Sequence, residues 1–431
     1  MKPIVAALAF AAALSAQNFS DLKPSPQQVA WQDLEIGVLI HFGPNSFMDR
    51  EWGDGTADPS VFNPAQLDAA QWVAAAESAG ARYLVLVAKH HDGFCLWPTE
   101  ETKYNVKASP WRGGHGDLVR EVSEAARRAG LRFGVYLSPW DRHDPRYRDA
   151  AKYDEYYRNE LTELATRYGD LTEFWLDGAG SEGHVYDFMR YIRTLRTYQP
   201  NAMIFADVGL LPYADIRWVG NEDGTAKEEN WNVVDAYQIL RWRPAEADTP
   251  LREAHWFWHP NDEKSLKSVE KLVETYHETI GRGAQLMIGL APDNRGLLPE
   301  VDVKRLAEFG AEVKRIYGKG LLENTAISTS GHPDSSIGPE YSCQYRVSLR
   351  GPITLDRAVT MEDLTDGQRI RRYAILGRVG NEMRTLATGT TVGHKKIDLF
   401  APVTVDMLVF EVRSALGVPR LRSFNVYLGA K

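Results

Sequence analysis

The architecture follows from one segment and its neighbours: Tyr83-Leu84-Val85-Leu86-Val87-Ala88-Lys89-His90-His91-Asp92-Gly93-Phe94, or YLVLVAKHHDGF. Its first six residues are apolar and rich in valine and leucine, which predicts a strand over 83–88. Amphipathic helical patterns lie on either side, at 67–78 and at 117–128. Alternating strand and helix predict parallel strands joined by crossover helices. The polar residues after Ala88 therefore belong at the carboxyl end of a parallel strand.

The same alternation runs from residue 36 to residue 292. Strands are predicted at 36–42, 83–88, 131–137, 173–176, 203–206, 216–219 and 285–290, with a weaker eighth at 256–258. Further helices are predicted at 154–167, 185–198 and 266–279. An open nucleotide-binding sheet would carry a glycine fingerprint after its first strand, and 41–45 has none. The pattern thus predicts an α/β fold, a (β/α)8-like TIM barrel over 17–320.

The composition and the predicted secondary structure change near residue 321. A passage rich in Ser, Thr and Gly is followed by short runs with period-two alternation and no helical pattern between them. These runs lie at 345–349, 370–376, 396–399, 407–412 and 422–428. They predict a C-terminal all-β sandwich domain over 321–431.

The N-terminus has the pattern of a signal peptide. Lys2 precedes an apolar run over 4–14, and the small residues Ser15 and Ala16 follow it. Such a run has the length of a signal-peptide core and is too short to span a bilayer. We expect a signal peptide over 1–16 and a mature protein that is secreted or periplasmic, with no membrane span; a buried N-terminal helix is the alternative.

Composition narrows the class of ligand. The net charge is −8, so no basic surplus exists to neutralise phosphates, and nucleic acid is not expected as a partner. The twelve tryptophans and nineteen tyrosines suit a sugar-binding protein, although core packing accounts for most of them. Cys95 and Cys343 fall in different predicted domains and are expected to be free, buried thiols.

Candidate functional residues recur at the carboxyl ends of the predicted strands, where parallel barrels carry their active sites. In chain order they are His41, Glu51, Trp52, His90, His91, Trp97, Tyr136, Trp175, Asp177 and Glu222. Core packing alone does not produce polar and aromatic groups on one rim in turn after turn. The sequence therefore predicts an active site there.

Two carboxylates on this rim have the pattern of a glycosidase. Asp177 follows the apolar run 174–176, where a charge is costly unless it is paired or used. Glu222 ends another strand. Glycosidases need one carboxylate as nucleophile or base and a second as acid. The alternative for each residue is a cap on the helix that follows.

Two other classes of function remain open on the residues alone. A zinc hydrolase needs three protein ligands, which His41, Asp177 and one of the adjacent histidines at 90 and 91 could supply. Neighbouring side chains of a strand point to opposite faces, however, so two ligands from adjacent positions are unusual. A glycan-binding protein without catalysis is the other alternative. We expect no metal and no other cofactor.

The motifs resemble those of the retaining α-L-fucosidases of glycoside hydrolase family 29, over essentially all of the mature sequence. The matching segments are His41-Phe42-Gly43, Glu51-Trp52, Lys89-His90-His91-Asp92-Gly93-Phe94 with Leu96-Trp97, Gly134-Val135-Tyr136-Leu137-Ser138-Pro139-Trp140-Asp141, Phe174-Trp175-Leu176-Asp177-Gly178 and Arg217-Trp218-Val219-Gly220-Asn221-Glu222. The HHDGF and W-x-D-G elements, in this order, are a specific signal, since they are not expected together by chance.

The resemblance implies a role for each candidate. Asp177 would be the nucleophile and form a covalent fucosyl intermediate, and Glu222 would be the acid/base. Five residues would bind fucose hydroxyls, namely His41, Glu51, His90, His91 and Tyr136. Trp52, Trp97 and Trp175 would flank the methyl group and the ring faces. The position of Glu222 resembles that of the acid/base residue in the branch of the family that releases terminal α-1,3- and α-1,4-linked L-fucose from branched glycans. The expected partner is therefore a fucosylated oligosaccharide or glycoconjugate.

Overall fold

The computed structural model describes residues 22–206, 214–236, 239–323, 325–330 and 343–429. The expected signal peptide over 1–16 lies outside these ranges. The helices are α1 Pro26–Gln32, α2 Pro44–Met48, α3 Ala69–Ser78, α4 Leu118–Ala129, α5 Ala150–Arg167, α6 Phe188–Tyr198, α7 Val269–Thr279 and α8 Glu300–Tyr317. The five predicted helices are confirmed within a few residues at each end. In the described ranges, no helix combines the length and the apolar character needed to cross a membrane.

The N-terminal part is a parallel barrel. Its strands are β1 Ile36–Ile40, β2 Tyr83–Lys89, β3 Arg132–Leu137, β4 Glu173–Leu176, β5 Met203–Ala206, β6 Arg217–Trp218, β9 Ala245–Pro250 and β10 Gln285–Leu290, and an antiparallel hairpin of β7 Val233–Ala236 and β8 Ile239–Trp242 is inserted between β6 and β9. The sheet order is β5-β4-β3-β2-β1-β10-β9-β6. A parallel bridge between Phe205 and Ile216 connects the two edge strands. The predicted barrel is thereby confirmed.

The prediction was wrong about the eighth strand. Residues 256–258 form irregular loop, and the barrel is completed by β9, Ala245–Pro250. This strand carries Glu246, which lies inside the barrel and accepts hydrogen bonds from Tyr83 Oη and Trp175 Nε1 at 2.9 and 2.7 Å. A strand with inward carboxylates lacks the apolar pattern by which the other strands were recognised.

Helix caps fix where the connecting helices begin. An acidic or hydroxyl side chain accepts a backbone N–H in the first turn of each of five helices; the caps are Asp68 for α3, Asp117 for α4, Asp149 for α5, Asp187 for α6 and Ser268 for α7. Each cap satisfies donors that the helix itself leaves free. The apolar faces of these helices pack on the outside of the sheet, and a second cluster fills the barrel interior.

The C-terminal part is antiparallel. Its strands are β11 Ile327–Ser330, β12 Cys343–Glu362, β13 Ile370–Val379, β14 Glu382–Gly389, β15 Lys396–Ala415 and β16 Leu421–Tyr427. The register of the long strands β12 and β15 shifts after Ser348. Val347 and Phe410 on one side of this shift share a core with Leu355 and Val426 on the other, so the sheet folds over itself as predicted for a sandwich.

Candidate active site

Asp177 directly follows β4 and lies at the carboxyl end of the barrel. Tyr136 Oη donates a hydrogen bond to Asp177 Oδ2 at 2.8 Å, and the Ala179 N–H donates to Oδ1 at 2.9 Å. The Nε2 atom of His91 is 3.8 Å from Oδ2. The side chain of Asp177 nevertheless keeps 22% of its surface exposed. Both carboxylate oxygens are thus oriented while the group remains accessible.

Three histidines stand next to this carboxylate. The rings of His90 and His91 are 4.1 Å apart, and His41 is 5.7 Å from His90. The His90 ring lies nearly parallel to that of Tyr136 at 6.0 Å. Because β2 ends at Lys89, the alternation of side chains along a strand does not separate the two adjacent histidines. Both imidazoles therefore reach the site.

Burial keeps the three imidazoles neutral. It lowers the pKa of His41 to about 3, although the charge of Asp177 acts in the opposite direction. It lowers the pKa of His90 and His91 as well. The Nδ1 atoms of His41 and His90 are buried without a hydrogen-bond partner in the part of the chain that the structure describes. A neutral imidazole both donates and accepts, which suits sugar hydroxyls.

Lys89, the residue before the histidine pair, directs its side chain toward α5. Lys89 Nζ contacts Glu160 Oε2 at 2.6 Å and Asp141 Oδ2 at 3.2 Å, between the barrel and α5. Asp141 also accepts the backbone N–H groups of His143 and Asp144. The buried ammonium group thereby connects the end of β2 to the loop after β3, and it holds the start of the histidine pair in place.

Aromatic rings form the walls of the cavity. Trp52 is half exposed, and its ring is 5.4 Å from both His91 and Trp140. On another side, Trp256 and Phe257 lie 5.0 and 5.3 Å from His41. The sequence placed Trp140 on the rim after the third strand but assigned it no role. Trp256 and Phe257 were missed as site residues, because they were assigned to a strand that does not exist.

The carboxylate of Glu51 is hydrogen-bonded to other residues of the protein. Its carboxylate accepts the N–H groups of Trp256 and Phe257 at 2.9 and 3.1 Å. It also lies 2.7 Å from His259 Nε2. Glu51 therefore braces the loop that carries two wall residues, in addition to lying near the predicted sugar pocket.

Two of the predicted tryptophans are buried. Trp97 has no exposed surface, and its indole N–H donates to Glu163 at 2.7 Å in the layer between sheet and helix. Trp175 lies in the barrel interior, stacked on Phe205 at 3.7 Å and next to Tyr136 at 6.0 Å. The indole N–H groups of both residues donate to buried carboxylates, Glu163 for Trp97 and Glu246 for Trp175.

Glu222 is exposed on the loop after β6. The side chain of Asn221 accepts the Asp223 N–H and donates to the Thr225 carbonyl, which shapes the turn around Glu222. Beneath the loop, Trp218 Nε1 donates to Asp248 at 2.6 Å. Burial raises the pKa of Asp248, and the negative charge of Glu222 raises it further. In the described ranges no three His, Cys, Asp or Glu side chains are grouped so that they could hold a metal ion.

Comparison with known proteins gives a consistent result. The family model described as alpha-L-fucosidase matches residues 55–318. "Alpha-L-fucosidase 1" of Arabidopsis thaliana is 36% identical over 88% of this chain and 82% of its own length. The structure of a glycoside hydrolase 29 family member from an unknown rumen bacterium superposes with a TM-score of 0.87 at 33% identity, over 95% of this chain and 78% of that one.

A further structure, the GH29 fucosidase of Ruminococcus gnavus in complex with fucose, has a TM-score of 0.86 at 28% identity over 95% of this chain and 96% of that one. The barrel and the added β domain agree with the structures of this family. The chain therefore belongs to the α-L-fucosidases of glycoside hydrolase family 29, and it is a glycoside hydrolase that acts on fucosylated substrates.

Proposed function

We propose that this fucosidase retains the anomeric configuration, with Asp177 as nucleophile and Glu222 as acid/base. The observation that carries the proposal is the Asp177 carboxylate, which is fixed by Tyr136 Oη and the Ala179 N–H but is still accessible. An oriented, accessible carboxylate at the end of a barrel strand suits in-line attack on an anomeric carbon.

The reaction then has two steps. In the first, Asp177 forms a bond to the anomeric carbon, the glycosidic C–O bond breaks, and Glu222 gives its proton to the departing glycan oxygen. In the second, Glu222 takes a proton from water, the water oxygen attacks the same carbon, and Asp177 leaves as a carboxylate. The neutral histidines at 41, 90 and 91 hold the sugar hydroxyls in both steps.

For the substrate, we propose terminal α-1,3- and α-1,4-linked L-fucose on branched glycans. The support is the Trp218–Glu222 segment, which resembles that of the branch with this preference. The exposed position of Glu222 leaves room beyond the fucose pocket for a branched leaving group.

The anomer of the first product tests the mechanism. NMR during hydrolysis should show α-L-fucose before mutarotation, and β-L-fucose would contradict retention.

Asp177→Ala should reduce turnover by several orders of magnitude. Glu222→Ala should lose activity that added azide partly restores on an aryl fucoside, and full activity without azide would move the acid/base role elsewhere.

The linkage proposal has its own test. Fucose release from a Lewis-type trisaccharide is compared with release from 2′-fucosyllactose and from an aryl fucoside, with Asp177→Ala as blank. Preferential cleavage of the trisaccharide is the expected result. Cleavage of only the aryl fucoside and the 1,2-linked sugar would leave the fucosidase activity intact and disprove the branch.

We also propose that the protein is exported after cleavage behind Ala16, on the support of the apolar run at 4–14. Mass spectrometry of the protein from its native host should give an N-terminus at Gln17 in the exported fraction. An intact N-terminus in the cytosol would contradict this.

A further inference from the structure

Two loops that wall the cavity meet at His259. The first follows β1 and carries Trp52, and the second follows β9 and carries Trp256 and Phe257. His259 Nδ1 lies 2.5 Å from Asp49 Oδ1, and its Nε2 lies 2.7 Å from Glu51 Oε1. One imidazole on the second loop thereby joins two carboxylates of the first.

We propose that His259, as an imidazolium, is a positioning residue that clamps these two loops together and so sets the shape of the fucose pocket. The inference rests on the proposed function, because it concerns the pocket assigned there to the fucose ring. It gives a role to a residue that does not touch the reacting carboxylate.

Glu51 connects the clamp to the pocket. The same carboxylate that His259 contacts accepts the backbone N–H groups of Trp256 and Phe257. The rings of these two residues lie 5.0 and 5.3 Å from the buried imidazole of His41. Any shift of Glu51 therefore moves the wall that faces His41.

Left-handed backbone occurs in both loops around the clamp. Asp49 has φ 55°, and Ala254 and Asn261 on the second loop have φ 62° and 61°. Asp and Asn tolerate this region, whereas Ala254 adopts it at a conformational cost that surrounding contacts must offset. Pro260 further restricts His259 to extended backbone. These constraints bring the imidazole to the two carboxylates.

The charges around His259 favour its protonated form. Partial burial lowers its pKa, but hydrogen bonds to Asp49 and Glu51 and the charges of both raise it more, so the pKa is above its ordinary value. The ring of His255 lies 4.5 Å from that of His259, and Asp262 holds His255 Nδ1 at 2.8 Å. Only the imidazolium can donate to both carboxylates at once, since a neutral imidazole has a single N–H.

Calorimetric titration with L-fucose tests the clamp directly, without relying on turnover. His259→Ala should bind fucose about tenfold more weakly, while kcat on an aryl fucoside stays within about threefold, because the walls contact the sugar in both ground and transition states. His259→Gln should recover most of the affinity, since its amide N–H₂ can donate to Glu51 in place of Nε2.

The pH dependence separates the clamp from a merely structural role. Wild-type affinity for fucose should fall as pH rises through the His259 pKa, and His259→Gln should show no such fall. His255→Gln is the matched control, since it removes the neighbouring imidazole, which does not contact Glu51, and it should keep the wild-type fall. Thermal unfolding of each variant shows that it is folded.

Three results would overturn the inference. They are unchanged fucose affinity in folded His259→Ala, persistence of the pH dependence in His259→Gln, and its loss in His255→Gln. If the wild type releases fucose but His259→Ala binds it normally, this inference alone fails. If the wild type neither binds nor releases fucose, the proposed function fails with it.

Discussion

The hydroxyl of Tyr136 is the contact that holds the reactive carboxylate in its orientation. It donates to Asp177 Oδ2, and the ring is supported below by Trp175. We expect Tyr136→Phe to lower kcat/KM about 10- to 100-fold, because a hydrogen bond to a charged group contributes about 1.5–3 kcal/mol. Steady-state kinetics on an aryl fucoside measure this change.

Tyr157→Phe is the matched control for that variant. This buried tyrosine donates to the Leu137 carbonyl at 2.7 Å, in the same part of the barrel but away from Asp177. It should lower stability while leaving kcat/KM within about threefold of the wild type. Equal losses of kcat/KM in the two variants would mean that Tyr136 acts through folding alone.

Single residues show where sequence reasoning succeeds. Residues that directly follow an apolar strand, such as His41 and Asp177, could be placed on the rim from the strand pattern alone. Trp97 could not, because a tryptophan near a rim gives no signal of whether its indole faces a sugar or a buried carboxylate such as Glu163. Glu51 likewise depends on a loop, 256–259, that no periodic pattern describes.

Among the elements, strand β9 departs furthest from the prediction. The other barrel strands are apolar apart from at most one polar residue at an end, and they were predicted within about two residues at each end. In β9 the inward positions hold Glu246 and Asp248, which are stabilised only by partners that lie far away in sequence. A strand of this kind cannot be recognised from its sequence pattern, and it becomes apparent only in the folded barrel.

The buried carboxyls of β4 and β9 make stability depend on pH. Glu173 and Glu246 influence each other's titration inside the barrel, and burial raises the pKa of both. A raised pKa in the folded state stabilises the protein below the unfolded value, near 4.5, and this stabilisation is lost as pH rises through the folded pKa. The wild type should therefore lose stability between mildly acid and neutral pH through this pair.

Glu173→Gln removes one of these titrations. The free energy of unfolding is measured by urea denaturation for the variant and the wild type. The difference, variant minus wild type, should increase with pH by up to about 1.4 kcal/mol per pH unit for one proton. The gain should begin above the unfolded pKa and end once the wild-type pair has lost its proton. Parallel stability curves for the two proteins across this range would contradict the assignment.

In the whole molecule, the β domain is joined to the barrel by polar contacts at several points. The Ile397 N–H donates to the Gly281 carbonyl at 2.9 Å, and the Asn232 N–H donates to Gln368 Oε1 at 3.0 Å. Asp33 at the end of α1 accepts hydrogen bonds from His394 and Arg422. Contacts of this kind, spread along both parts, couple the unfolding of one part to that of the other.

The distribution of aromatic and sulfur side chains allows this coupling to be measured. All twelve tryptophans lie between Trp31 and Trp258, so tryptophan fluorescence reports on the barrel and, through Trp231 beneath Arg371, on its contact with the β domain. In a Cys95→Ser variant, the buried thiol of Cys343 on β12 is the one cysteine left and reports on the β domain. If the two parts unfold together, urea should expose the thiol to a colorimetric reagent at the same midpoint at which the fluorescence changes.

Asp33→Asn supplies the comparison for that experiment, because it removes a charge at the contact between the two parts and leaves both cores intact. In this variant the two midpoints should move apart, with the thiol exposed first, since the β domain loses a contact that its smaller core needs more than the barrel does. Midpoints that already differ in the Cys95→Ser protein would show that the barrel is stable by itself. In that case the β domain would be an independent unit attached to a self-sufficient catalytic barrel, and the polar contacts at Asp33 would orient the two parts without coupling their unfolding.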